Sequence, residues 1–171
     1  MKRGQRLPLE SPLAAAYPDL SLTCVVGEDA VGLVTARYGR AFGNRVAVLS
    51  WRDRSSLLAL YAEHDILLFP SLFEGFGKTF LEAMACGLCV VGFNQGGLSD
   101  IARSEQSALI CDTGDDASFK ALIERCLQHP DAARAIGRRA QAVAQPYSWA
   151  RTAEQTEAFC LRLRRDLLVQ R

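Results

Sequence analysis

No apolar run in this sequence approaches the ~18–20 residues that a helix needs to cross a bilayer, so no membrane-spanning helix is expected. Charge of one sign is also scarce: 20 Lys and Arg stand against 19 Asp and Glu, a formal net charge of +1. Phosphate backbones are bound by basic faces, and this balance gives no electrostatic reason to expect a nucleic acid partner. The opening stretch "MKRGQRLPLESPLAAAYPDL" lacks the continuous apolar core of a secretory signal, and a cytoplasmic protein is expected. There are no internal repeats, no low-complexity segments and no linker long enough to divide two domains. Histidine is limited to His64 and His129, isolated from one another, and His64 reads as a surface or core-edge residue.

What is present fits one soluble globular domain. The 171 residues suffice for a real core, and 49% apolar with 23% charged residues is ordinary. Six cysteines are many, but Cys24, Cys86, Cys89 and Cys111 lie inside apolar runs, where a thiol behaves as a small hydrophobe. Cys86-x-x-Cys89 has no second pair to complete a metal site, so packing and six free thiols are expected. Five short apolar runs recur, "LSLTCVV" (20–26), "RVAVLS" (45–50), "DILLFP" (65–70), "LCVVGF" (88–93) and "SALIC" (107–111). Helical patterns fall between them at 29–41, 55–63 and about 78–86, with a weak turn near 98–103. After Asp112 only helices follow, roughly 115–128, 131–144 and 149–168, with Pro130 ending one and Asp131 starting the next. Near-continuous apolar strands alternating with helices define an α/β protein, a doubly wound parallel sheet of about five strands with a helical C-terminal end.

Chemistry concentrates in "FPSLFEGFGKTFLEAMACGLCVV" (69–91). Ligands of an open parallel sheet bind at the carboxyl ends of its strands, and the loop after "DILLFP" stands there. A helix from about Lys78 would aim its free N–H groups and positive dipole end at the same place, which suits a phosphate. Gly75 and Gly77 would let the backbone approach a ligand and take dihedrals closed to other residues. Glu74 and Glu82 would face that crevice; carboxylates repel phosphate, so sugar hydroxyls are their better partners. For Glu82 a capping box with Thr79 is the competing structural reading. A P-loop fails because residue 72 is leucine, and a dinucleotide fingerprint fails because "GFGKTF" lacks its third glycine.

Preceded by Phe-Pro-Ser, the pattern E-G-F-G-x-x-x-L-E-A-M-A-C-G resembles the donor-binding segment of retaining glycosyltransferases of the GT-B fold, family-4 type, with two glutamates separated by seven residues. "VVGFNQGGLSDI" resembles the family's strand and Gly-Gly loop, "HPDAARAIGRRAQAVAQPYSWARTAEQTEAF" its helical end, and "KRG" its Lys-Gly near the start of the donor domain. Cys89 stands where the family usually has proline, and Asp100 where many members have glutamate. By this resemblance Glu82 would hold the ribose of a nucleoside diphosphate sugar, and Glu74, the catalytic glutamate, a hydroxyl of the transferred sugar. Ser71, Gly75, Phe76, Gly77, Lys78 and Thr79 would surround sugar and phosphates. Ser50, Trp51 and Arg52 would meet the base, Lys2 the diphosphate, and Gly27 would close the strand facing the phosphates. No Asp-x-Asp occurs, so the resemblance implies a metal-independent site with no cofactor beyond the nucleotide-sugar substrate.

The resemblance implies one half of a GT-B fold, residues 1–171 being the donor domain of an enzyme that transfers a hexose-type sugar to an acceptor hydroxyl, with an N-terminal acceptor domain on another chain as a candidate partner. The alternatives are a non-catalytic nucleotide-sugar-binding module and a truncated, inactive gene product. The end "LRLRRDLLVQR" could touch an anionic membrane surface, although a solvated helix face explains it more simply. In the family a strand before the Lys-Gly segment lies mid-sheet. This chain starts at Met1, so direct pairing of 21–26 with 65–69 and low stability, or a need for a partner strand, are expected.

Overall fold

Val, Ile and Leu fill the five apolar runs, and each run becomes a strand in a computed structural model, which describes residues 11–169. The strands are β1 (Leu22–Val25), β2 (Val46–Leu49), β3 (Ile66–Phe69), β4 (Cys89–Phe93) and β5 (Leu109–Cys111). The helices are α1 (Ser11–Ala16), α2 (Val31–Phe42), α3 (Arg54–Ala62), α4 (Lys78–Ala85), α5 (Leu98–Ile101), α6 (Asp116–Gln128), α7 (Pro130–Ala144) and α8 (Trp149–Val169).

Every strand residue of β4 is buried, and alternate side chains serve opposite faces, as the period of a strand requires. Cys89, Val91 and Phe93 join a core with Val34, Tyr38 and Phe42 of α2 and Phe119, Ile123 and Cys126 of α6. Val90 joins the other core, with Tyr61 of α3, Phe80, Ala83 and Met84 of α4, and Ala140 and Ala144 of α7. Helices therefore cover both faces. Asp53 starts α3 and Asp115 starts α6, their side chains accepting from the N–H of Ser56 at 2.8 Å and of Ser118 at 3.0 Å.

Pro130 does not end a helix. It occupies the first position of α7, where its missing N–H and fixed φ cost nothing, and His129 joins the two helices. Helix α1 was not evident from its six residues. It is held from a distance: Leu13 and Ala14 are buried, and the Arg45 guanidinium donates to the carbonyls of Ala14 (2.9 Å), Tyr17 (3.0 Å) and Leu20 (3.1 Å).

All ladders are parallel, β1 with β2 and β3-β4-β5, but β1 and β3 do not pair. The expected pairing of 21–26 with 65–69 is thus corrected, and side chains hold that boundary instead. His64, just before β3, bonds Thr23 Oγ1 through Nε2 at 2.9 Å and the Leu60 carbonyl through Nδ1 at 2.6 Å. Ile66 and Leu68 of β3 pack against the same core as Cys24 of β1, so core side chains fix the spacing that a backbone ladder would otherwise set at ~4.8 Å. Residues 17–21, leading into β1, and 63–66, leading into β3, line one cavity, so both ladders begin at the same end of the domain. Their carboxyl ends then share the opposite end. Residues 1–10, where a further strand between β1 and β3 would have to come from, lie outside the described residues.

Candidate functional site

Four loops occupy the carboxyl end: Gly27 after β1, Ser50, Trp51 and Arg52 after β2, Ser71–Gly77 after β3, and Asn94–Gly97 after β4. The structure therefore brings the sequence-derived residues to one end of the domain, except Lys2, which lies outside the described residues. Trp51 is 77% exposed, an unusual setting for an indole that only has to pack. Gly27, with φ of −62°, precedes a 3₁₀ turn over Glu28–Ala30 and needs no glycine dihedral.

Helix α4 is built as the spacing suggested. Gly77 is its N-cap with φ of +87°, a left-handed conformation that glycine takes without penalty. A Cβ there would stand 2.8 Å from Phe69 Cζ and 3.1 Å from Phe80 Cδ1, so the backbone turns against two packed rings. Gly75 differs from expectation. Its φ is not positive and open space lies where a Cβ would point, so approach room, not a special dihedral, is what its lack of a side chain provides.

The capping-box reading of Glu82 fails. No side chain caps α4, Thr79 is its exposed second residue, and Glu82 falls in the second turn, out of reach of the N-cap. The half-buried Glu82 carboxylate has no hydrogen bond or ion pair among the described residues. It lies beside Tyr61, whose phenol is pushed up to about 12 by burial first and then by the Glu82 charge. Burial and Glu82 also push up the Cys86 thiol. Glu74 is half-buried and accepts from Ser71 Oγ at 2.9 Å, which gives Ser71 a role in orienting that carboxylate.

Sequence reasoning did not place Gly96 and Gly97 in the site. A Cβ at Gly96 would lie 2.7 Å from the Phe76 carbonyl oxygen and 3.0 Å from Glu74 Cβ, and one at Gly97 would meet the Phe76 ring at 2.8 Å. The Gly97 N–H donates to the Phe76 carbonyl at 2.9 Å, so the loop after β4 clamps the loop after β3. The doubled glycine in "NQGG" was the available signal. Beside it Ser99 bonds Asn94 Oδ1, and Gln95 bonds Thr113 Oγ1 at 2.8 Å.

All six thiols are free, and Cys89 meets Cys126 of α6, not Cys86. The bond to Cys126 and burial raise the Cys89 thiol, and burial raises Cys24 to about 11. Alkylation of the native protein is expected to label exposed Cys160 first and half-buried Cys86 slowly, sparing Cys24, Cys89 and Cys126 until denaturant is added. Mass spectrometry of the labelled peptides checks the order, and early labelling of Cys89 would contradict the packing.

The open parallel α/β fold thus carries two carboxylates, Glu74 on the loop after β3 and Glu82 on α4, and no side chain caps the start of that helix. Residues 13–143 match the family model "Glycosyl transferases group 1", and the chain belongs to that family. It is 39% identical over 111 residues to D-inositol 3-phosphate glycosyltransferase of Salinispora tropica, covering 64% of this chain and 23% of that protein. The Segniliparus rotundus protein of the same name is 34% identical over 166 residues, 88% of this chain and 37% of its own length. The chain thus spans well under half of these relatives. HepE of Anabaena in complex with UDP and glucose superposes with a TM-score of 0.76 at 25% identity, over 93% of this chain and 44% of that one. Sucrose-phosphate synthase of Thermosynechococcus elongatus gives 0.73 at 25%, over 98% and 43%. These are GT-B glycosyltransferases, and the chain has the fold of their C-terminal domains. Among the described residues no helix is long and apolar enough to cross a membrane.

Proposed function

We propose that the chain is the donor-binding domain of a retaining glycosyltransferase that moves a hexose-type sugar from a nucleoside diphosphate to an acceptor hydroxyl. The observation that carries this reading is the Glu82 carboxylate, half-buried beside the uncapped start of α4 and without a partner among the described residues. A desolvated carboxylate favours strong donors, and the two hydroxyls of a ribose supply them. The diphosphate lies against the first N–H groups of α4, where the helix dipole and Lys78 offset the charge that develops on the leaving group; this reading requires no metal. Glu74, aligned by Ser71, accepts from a hydroxyl of the transferred sugar, and Phe76, backed by Gly97, forms the wall beside it. Trp51 and Ser50 flank the base and Gly27 the phosphates. HepE in its UDP and UDP-glucose complexes supports a nucleotide-sugar ligand for this fold. The acceptor is held by a part of the enzyme beyond these residues.

Calorimetry tests the reading. The protein is expected to bind UDP or another nucleoside diphosphate, and Glu82→Ala to weaken it about tenfold or more, the worth of one charged hydrogen bond. Equal affinity of wild type and Glu82→Ala would remove Glu82 from the site.

A further inference from the structure

We infer that Trp149 is a positioning residue of this site, holding the Lys78 ammonium at the start of α4 where a diphosphate would meet it; the inference rests on the donor-site reading above. Lys78 is the first residue of α4 and Trp149 the first of α8, and Lys78 Nζ lies 6.0 Å from the centre of the indole ring. The helix sets Glu82 four residues beyond Lys78 on the same face, where an ion pair could form. None does among the described residues, and lysine before glutamate is the weaker order for such a pair. The tryptophan face is therefore the partner of this cation.

The indole is placed by a capped helix. Ser148 accepts the Arg151 N–H on its hydroxyl at 3.2 Å and the Thr152 N–H on its carbonyl at 2.9 Å, which fixes the first turn of α8. Trp149 is 72% exposed, so core packing does not account for it. A lysine side chain has many rotamers, and fixing one for a ligand opposes binding. The ring narrows that freedom before the ligand arrives. It engages the ammonium through the ring quadrupole and leaves N–H donors for phosphate oxygens, so both contacts can coexist.

Calorimetry with UDP supplies the test. Trp149→Leu, which keeps bulk but loses the ring face, is expected to weaken UDP about two- to fivefold, the size of an exposed cation–π contact. Trp149→Tyr should stay near wild type. In a Lys78→Met background Trp149→Leu should cause no further loss, an outcome that a merely structural role for the indole would not give. In protein labelled with 5-fluorotryptophan, the Trp149 fluorine resonance should shift with UDP and not with uridine, while an unchanged Trp51 resonance in Trp149→Leu shows that the fold is kept. UDP binding that depends on Glu82 but not on Trp149, or an equal loss with and without Lys78, would overturn this inference alone. Failure of the wild type to bind any nucleoside diphosphate would overturn it together with the donor-site reading.

Discussion

Replacing Gly137 with alanine is expected to destabilise the protein by about 1–3 kcal/mol, the range of an overpacked core, although the same change inside a helix normally stabilises. Two effects compete. Alanine gains ~1 kcal/mol over glycine in a helix interior. Against that, the new Cβ would fall on the Gly87 carbonyl oxygen, 3.1 Å from Gly87 C and 3.2 Å from Cys89 N. All three are backbone atoms and cannot rotate aside. Gly87 is itself held at φ of +86°, at the turn that feeds β4. Helix α7 would have to lift off, and Ile136, Ala140 and Ala144 would lose their burial with it. The clash wins because relief requires moving a helix. Gly39, inside α2 with nothing within 4 Å of its Cβ position, provides the contrast: Gly39→Ala should stabilise by about 0.5–1 kcal/mol. Urea unfolding of both variants reads the two signs, and a Gly137→Ala protein as stable as wild type would mean that α7 is not packed this closely.

What could be read from the sequence was local. The strands were legible because runs of Val, Ile and Leu between helical patterns have few other uses, and Gly77 was legible because a helix start must follow a strand end. Helix α1 was not, because Arg45 supplies its anchor from 31 positions beyond Ala14. The Cys89–Cys126 contact and the His64–Thr23 bridge are equally long-range, and only the packed domain brings them together. The break between β1 and β3 went unforeseen for the same reason: a ladder needs backbones in register, whereas the pattern of apolar residues reports only that both strands are buried. In the site, both glutamates were placed correctly on loop and helix, but the choice between a cap and a free carboxylate for Glu82 depended on where α4 begins. With Gly77 and not Thr79 in the N-cap position, the carboxylate is not part of a cap.

That start makes Gly77→Ala the substitution expected to do most damage to ligand binding. A left-handed backbone costs an alanine about 1–2 kcal/mol. The added methyl also meets Phe69 and Phe80, which are 4% and 0% exposed and pack edge to face at 5.6 Å. Rings packed so tightly yield little, so the cheaper relaxation is for residue 77 to leave its conformation and for α4 to begin elsewhere. The first N–H groups of α4 and the Lys78 side chain would then move relative to Glu74 and Gly96. Displacements of about 1 Å in such a constellation can cost two orders of magnitude in turnover, and binding depends on the same alignment. The expected result is a lower melting temperature together with a loss of UDP affinity beyond the roughly tenfold expected for Glu82→Ala. Gly75→Ala separates the two causes. Its Cβ would enter open space and its φ is not positive, so the fold should be unaffected, and any weakening of UDP there reports a ligand standing where the methyl goes. If Gly77→Ala melts and binds as the wild type does, the left-handed turn at Gly77 is not what holds the ligand.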